Sequence, residues 1–402
     1  MDILSGKRIV LGVCGSIAAY KVAQFARDLA LAGVQVDVIL TEAAERFVGA
    51  ATFQALTGRP VLTSMWALPE DGVVGHVALG TSADAVVVAP ATANTIARIA
   101  AGLSDDLLTT TLLATRAPVL LAPAMNPQMY AHPATQTNLA TLRARGYTIV
   151  EPGEGRMAEH VSGKGRLPEP FTLAGELRAL LGRVHGPLRG RRVVVSAGGT
   201  REPIDPVRYV GNRASGQMGY ELAAQARDLG AAVTLVSGPT ALVAPAAITT
   251  VQVETALEMR EALHAAVAGA DILIMNAAVA DFRPEAATEH KIKKQPGTTG
   301  ITLTLVTNPD IIAGFAGHHD LFKVGFAAET DDLLANAQAK LARKGLDLIV
   351  ANDAVASIGQ PSIAITLIGR NGMTRLARQP KAAAAATLLT EIVARYVRWK
   401  SR

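Results

Sequence analysis

Twice in this chain a run of β-branched residues ends in a glycine turn: "KRIVLGVCGSIAAYK", Lys7 to Lys21, and "RRVVVSAGGT", Arg191 to Thr200. A strand that is apolar at almost every position has no face to give to water. It fits the middle of a parallel sheet covered by helices on both sides. Each of the two runs is followed by more of the same kind. The first half continues with "QVDVILT", "DAVVVAPAT" and "PVLLAPAMN", the second with "AVTLVSG", "DILIMNAAVAD", "LFKVGFAAET" and "LDLIVAND". Helical periodicity lies between them, as in "SIAAYKVAQFARDLALAG" and "GYELAAQARDLGA". The pattern predicts an α/β protein of two Rossmann-like parallel-sheet domains. The echo between "AQFARDLALAGVQVDVIL" and "AAQARDLGAAVTLV" is what any amphipathic helix between buried strands looks like, and it does not by itself indicate a duplication.

At 402 residues the chain exceeds one ordinary core and suits two. The segment "LLGRVHGPLRGRR", punctuated by Gly182, Gly186, Pro187 and Gly190, has linker composition. It sets expected domains of 1–186 and 190–402. Half of the residues are hydrophobic and 18% are charged, which predicts packed domains and not disorder. The one cysteine, Cys14, excludes an intrachain disulfide framework and suits a reducing cytoplasm. The basic and apolar start at Lys7 mimics a signal peptide, but glycines break it and a strand–helix–strand pattern follows. No segment has the uninterrupted apolar length of a membrane span. A net charge of +5 over this length is mild and suits phosphorylated anions. Nucleic acid is not expected, because there is no Lys/Arg block and aromatics are only 4%.

In such sheets ligands bind beyond the carboxyl ends of the strands. The first such loop, "GVCGSIAAYK", opens a helix with small residues and so offers main-chain N–H groups to a phosphate. Thr92, Asn94 and Thr95 stand at a second strand tip and Asn126 at a third. Polar groups at neighbouring tips suit a planar ring and its phosphate; helix capping is the simpler role for each asparagine. His76, in "GHVALG", is a candidate for proton transfer.

The segments "GSIAAYK", "GHVAL", "PATANTIARIAAGLSDDLL" and "PAMNPQMYAHPATQTNL" together resemble the flavin-dependent homo-oligomeric cysteine decarboxylases, and most closely the phosphopantothenoylcysteine decarboxylase domain. The resemblance implies a flavodoxin-like flavoprotein domain in which Gly15, Ser16, Ile17, Thr41, Thr92, Ala93, Asn94, Thr95 and Ala124 contact FMN. It implies that His76 takes part in oxidising the substrate thiol and that Asn126 holds the substrate carboxylate. One element departs from the family. Its flap has Ala-Cys-Gly before GxGR, and that cysteine donates the last proton. Here the flap reads "GRMAEHVSGKGRLPEP", Glu159 stands at the cysteine's place, and His160 follows. Glu159, His160 or water is then the donor.

In the second half, "SAGGTREPIDPVRYVGNRASGQMG" combines glycine turns with Arg201 and Arg208 and a helix start at Ser215 and Gly216. Ser215 and Gly216 can cradle a phosphate there, and Arg208 lies on the long loop; all three are read as substrate-binding. Lys291, Lys293 and Lys294 suit a triphosphate, and Asp281 suits Mg²⁺. No GxxxxGK[ST] motif occurs. "TREPIDPVRYVGNRASGQMG", "AAVADFRP", "KIKKQ", "NPDI", "VGFAAET" and "DLIVAND" resemble, in order, the phosphopantothenate–cysteine ligases. This second resemblance implies a nucleotide-binding ligase domain. It implies that Asn212 stabilises an acyl-cytidylate and that Lys291 is needed to form it. It also implies a CTP site made of Met275, Asn276, Ala277, Asp281, Lys291, Pro309, Asp310, Ile311, Ile312, Phe326, Lys340 and Lys344.

The order of the two halves is similar to the bacterial fusion family of coenzyme A biosynthesis. It implies two consecutive steps, ligation of cysteine to 4'-phosphopantothenate and then decarboxylation to 4'-phosphopantetheine. It also implies a homo-oligomer in which decarboxylase trimers and ligase dimers close a dodecamer. The alternative is a ligase whose flavin-binding half is reductively impaired. A flavin prenyltransferase shares the first scaffold but leaves the second half unexplained, and a nicotinamide dehydrogenase lacks its GxGxxG here. Glu159→Gln should release carbon dioxide from phosphopantothenoylcysteine yet accumulate the oxidised enethiol, a pair of hydrogens lighter than the reduced thiol. A mass spectrum of the product checks this; full conversion at wild-type rate would assign the proton to His160 or water.

Overall fold

The computed structural model describes residues 2–66, 75–157, 161–294, 299–329, 338–341, 343–353, 360, 362–369 and 372–401. The chain divides into two compact units, Met1–Val184 and His185–Arg402.

In the first unit six strands form one sheet: β1 (Arg8–Val13), β2 (Gln35–Leu40), β3 (Val61–Leu62), β4 (Ala85–Ala91), β5 (Val119–Pro123) and β6 (Thr148–Ile149). Their order is β3-β2-β1-β4-β5-β6 and every neighbouring pair is parallel. The apolar runs are buried on both faces. Ile9, Leu11 and Val13 pack with Phe25 and Leu29, while Val10, Val86 and Val88 pack with Ile96, Leu108 and Leu112. The order reverses between β1 and β4, so the loops after these two strands part and leave a crevice. An antiparallel hairpin follows the sheet, β7 (Gly153–Arg156) with β8 (Ser162–Arg166), and the helix Pro170–His185 ends the unit.

The second unit begins at β9 (Arg192–Ala197), then a short ribbon of β10 (Arg201–Pro203) and β11 (Tyr209–Gly211). β12 (Ala232–Ser237), β13 (Thr249–Gln252) and β14 (Ile272–Met275) come next, then a second ribbon of β15 (Phe282–Pro284) and β16 (Leu305–Thr307). β17 (Phe322–Glu329), β18 (Leu348–Asp353), β19 (Ser362–Gly369) and β20 (Gly372–Pro380) complete the set. The main sheet runs β13-β12-β9-β14-β17-β18-β19-β20. It is parallel through β18, and then β19 and β20 extend it antiparallel, so the sheet is mixed. This extension departs from the all-parallel expectation. Its outer strand "GMTRLARQP" is an exposed edge with polar side chains, so it lacks the apolar run by which the other strands are read.

The helix Lys381–Lys400 covers one face, burying Leu388, Leu389, Ile392 and Tyr396. The Tyr396 hydroxyl donates to Asp271 Oδ1 at 2.8 Å, and burial, reinforced by that carboxylate, pushes its pKa up to about 12. Trp399 packs edge-on against Phe322 at 5.7 Å between centroids. The helix Gln217–Asp228 lies close to β9 because Gly219 has no side chain; a Cβ there would stand 2.5 Å from the Ala197 Cβ. Gly219→Ala must push helix and strand apart, and a cost of about 1–3 kcal/mol is expected. The urea midpoint followed by Trp399 fluorescence should fall; an unchanged midpoint would show that the helix can shift freely.

Candidate functional site

A cavity of about 1150 Å³ opens at the carboxyl ends of β1, β4 and β5. Gly15, Ser16, Ile17, Thr41, Thr92, Ala93, Asn94, Thr95, Ala124 and Asn126 all line it, so the structure brings together every strand-tip residue singled out in the first half. Local structure explains their placement. Thr92 caps the helix Ala93–Ala101 by accepting from Thr95 N, and Thr41 accepts from Ala44 N, both at 3.3 Å. Capping at this tip therefore falls to Thr92; Asn94 is exposed. The helix Ala19–Leu31 starts without any side-chain cap, and its N-terminal approach, Ser16 to Ala18, is part of the cavity wall. An uncapped helix start with small residues suits an anionic group, and the adjoining alanines and methionines suit an apolar ring. The donor set and the volume thus fit a flavin mononucleotide.

Asn126 caps the helix Pro127–Ala131, its Oδ1 accepting from Gln128 N at 2.9 Å. The hairpin β7–β8 folds back onto the same segment. Met125 N donates to Gly165 O at 3.1 Å, a Cβ on Gly163 would stand 2.9 Å from Pro127, and one on Gly165 would run into the Met125 carbonyl. Glu151 ties the base of the hairpin down. It accepts from Tyr130 Oη at 3.0 Å and Arg143 Nη2 at 2.6 Å, and it pairs with Lys164 at 2.6 Å. Burial alone would raise the Glu151 pKa, but the bonds from Lys164 and Tyr130 bring it below the usual range.

His76 is not among the lining residues. It lies on the helix Gly75–Ser82, and its buried Nδ1 has no hydrogen-bond partner. Glu159 and His160 lie outside the described residues. Cys14 is buried in the core beside Val10 and Ile96, and burial pushes its thiol up to about 11.

The second unit gathers its predicted residues where β9 and β14 end. Ala277 N donates to Ser196 Oγ at 3.1 Å, Ala278 N to Gly198 O at 2.8 Å and Ala280 N to Thr200 Oγ1 at 2.9 Å. Asn212 Nδ2 donates to Val279 O at 3.0 Å, which puts Asn212 beside the Met275–Ala280 loop. Gly216 starts the helix Gln217–Asp228 in a left-handed conformation, and Ser215 O accepts from Thr240 Oγ1 at 3.1 Å. A second group forms around Asp310, which pairs with Lys344 at 2.8 Å, while Lys340 Nζ donates to Phe326 O at 2.9 Å. Against the upward push of burial, Lys344 holds the Asp310 carboxyl below its usual pKa. The side chains of Met275, Ile311 and Ile312 are core residues, packed with Phe315 and Leu346, so only their main chain is available to a ligand. Pro309 precedes this group. Asp281 and Lys291 are exposed. Arg208 Nη2 donates to Ile292 O at 2.8 Å, joining its loop to the lysine segment. Among the described residues no group of three or more His, Cys, Asp or Glu side chains could hold a metal ion.

Sequence reasoning passed over several charged residues. Lys21, Arg98, Arg156 and Arg166 line the first cavity together with Glu42, Asp105 and Asp106. Arg98 pairs with Asp105 and, at 2.7 Å, with Asp106; Lys21 and Arg166 share Glu169 at 2.8 and 3.4 Å. "SDD" and "GKGR" carry these charges, but nothing local shows that the hairpin bends them back onto the sheet. Among the described residues no helix is long and apolar enough to cross a membrane.

The model of the DNA/pantothenate metabolism flavoprotein C-terminal domain matches residues 188–396, and that of the flavoprotein family matches residues 2–182. The coenzyme A biosynthesis bifunctional protein CoaBC of Vibrio vulnificus (strain YJ016) is 45% identical over 398 residues, 98% of each chain. That of Mycobacterium tuberculosis (strain ATCC 25618 / H37Rv) is 50% identical over 362 residues, 86% of each chain. A crystal structure of the C-terminal domain of a coenzyme A biosynthesis bifunctional protein CoaBC is 37% identical. It superposes with a TM-score of 0.46 and covers 52% of this chain and 97% of that one.

Proposed function

The chain belongs to the family of coenzyme A biosynthesis bifunctional proteins, and from that premise we propose the assignment of its two sites. The second unit joins cysteine to 4'-phosphopantothenate at the expense of CTP. The first unit, holding FMN, decarboxylates the product to 4'-phosphopantetheine. The observation that carries this reading is a match over 98% of both chains, with each strand-end constellation in its own unit.

In the ligation, the phosphopantothenate carboxylate attacks the α-phosphate of CTP, forming an acyl-cytidylate and releasing pyrophosphate. The amine of cysteine then attacks the acyl carbon and CMP leaves. Lys291 supplies a cation at the departing negative charge. Asn212, beside the Ala278 and Val279 carbonyls, supports the acyl-cytidylate. Main-chain groups of Pro309–Ile312 read the cytosine edge, and Met275 to Ala277, Phe326, Lys340 and Lys344 complete the nucleotide site. Ser215, Gly216 and Arg208 hold the substrate. Asp281 would supply a carboxylate oxygen to Mg²⁺ bound with the triphosphate, a hard cation that prefers oxygen ligands.

In the decarboxylation, bound FMN supplies reversible two-electron oxidation of the substrate thiol, which gives the electrons left by carbon dioxide a place to go. The loop Gly15–Ile17, the uncapped helix start, Thr41, Thr92 to Thr95 and Ala124 would hold it. Asn126 binds the substrate carboxylate with a neutral amide. A cation there would stabilise the carboxylate against leaving, whereas an amide orients it without that penalty. His76, with its unpartnered Nδ1, serves the cavity of a neighbouring copy, in keeping with decarboxylase trimers and ligase dimers in a cytoplasmic dodecamer.

Incubation with phosphopantothenate, cysteine and CTP should give phosphopantetheine by mass; accumulation of phosphopantothenoylcysteine would instead favour the reductively impaired alternative. Asn126→Ala should keep the flavin and the ligase rate but stop carbon dioxide release, and near wild-type release would overturn the carboxylate role. Lys291→Gln should suppress pyrophosphate release from CTP by roughly 3 kcal/mol or more of transition-state stabilisation while sparing decarboxylation of supplied phosphopantothenoylcysteine. Unchanged pyrophosphate release would remove Lys291 from the step.

A further inference from the structure

The side chain of Asp205 is wholly buried, yet it belongs to the turn of an otherwise exposed loop. Its carboxylate collects five N–H donors. Oδ1 accepts from Val207 N at 2.8 Å and Arg208 N at 2.9 Å; Oδ2 accepts from Arg208 Nε at 3.0 Å, Arg208 Nη2 at 2.5 Å and Ile292 N at 3.1 Å. That saturates an ionised carboxylate. The Arg208 fork and these main-chain donors hold its pKa far below the usual carboxylate range. Four of the five bonds shape its own turn, as a structural Asx turn would. The fifth reaches across 87 residues of chain, and Arg208 Nη2 reaches back to the Ile292 carbonyl at 2.8 Å. Ile292 is thereby gripped by both of its main-chain polar groups. A second latch lies four residues earlier, where Thr288 N donates to Ile204 O at 3.1 Å. The neighbours of Ile292 are the exposed Lys291 and Lys293.

We propose that Asp205 is a positioning residue of the ligation step: with Arg208 it clamps the main chain at Ile292 and so fixes where Lys291 stands. The inference rests on the reading of Lys291 given above. A long, flexible ammonium side chain stabilises a developing charge only if its stem is held, and a displacement of about 1 Å can cost up to about 100-fold in rate. An aspartate that merely stabilised the turn would have no reason to bond a residue so distant in sequence, and its loss would not depend on what side chain position 291 carries.

That dependence is the test. In the full chain, Asp205→Asn keeps the shape, but its amide cannot accept all five bonds. Pyrophosphate release from CTP and phosphopantothenate should slow by about 10- to 100-fold. In a Lys291→Gln background the same substitution should cost less than about twofold, because coupled residues are not additive. Hydrogen exchange should show loss of protection at the Ile292 amide. Arg208→Ala, which removes the bonds to both Asp205 and the Ile292 carbonyl, should also expose that amide. An equal cost of Asp205→Asn in both backgrounds, or an Ile292 amide still protected in both single variants, overturns the clamp. If Lys291→Gln alone releases pyrophosphate at wild-type rate, the reading of Lys291 fails, and the clamp's role fails with it. A slow Lys291→Gln without coupling sinks the clamp only.

Discussion

Everything in both units depends on parallel strands that are buried on both faces. Such a strand satisfies its own main chain through its neighbours but must surrender that pairing where it ends, and the groups released there need other partners. In the second unit the loop after β14 finds them in Ser196, Gly198 and Thr200 on the loop after β9. In the first, the threonines at positions 41 and 92 cap the helices that come after β2 and β4. What is left over at these strand ends is the material of a binding site: uncapped helix starts, amides and short hydroxyls beside glycines.

The two units solve the problem of charge differently. The first cavity carries Lys21, Arg98, Arg156 and Arg166 among its walls, with carboxylates at hand for Arg98 and Lys21, so its cations are oriented before any anion arrives. Preorganised dipoles and charges cost no reorganisation when a reaction needs them. The second unit holds some of its lysines in reserve. Lys340 and Lys344 are engaged with Phe326 O and Asp310, whereas Lys291, Lys293 and Lys294 are exposed on a segment fixed through its main chain at Ile292. A carboxylate covered as Asp205 is by its own loop is tolerated because its donors leave none of its lone pairs unmet.

Much of this was legible in the sequence because the relevant signals are local. An apolar run reads as a buried strand, a glycine or threonine at its end reads as a turn or cap, and the strand-tip residues Thr92, Asn94, Thr95 and Asn126 emerge from that reading alone. The edge hairpin β19–β20 did not, because an exposed edge strand keeps polar side chains and loses the pattern. Nor did the burial of Ile311 and Ile312, whose apolar character is the same whether a nucleotide or Phe315 covers them.

The sequence by itself determined the class of fold, the two cores, and which loops end strands, since these depend on residues near one another in the chain. Tertiary structure alone decided which charges meet. Glu151 reaches Lys164 and Tyr130 only because a hairpin folds back on a helix, and Asp205 reaches Ile292 only because two loops far apart in sequence lie side by side. His76 belongs to the same class: it is not among the residues that line the cavity, a fact of packing that no local pattern encodes. Hydrogen bonds act over about 3 Å whatever the sequence separation, so partners brought together by the fold leave no trace in the spacing of the residues.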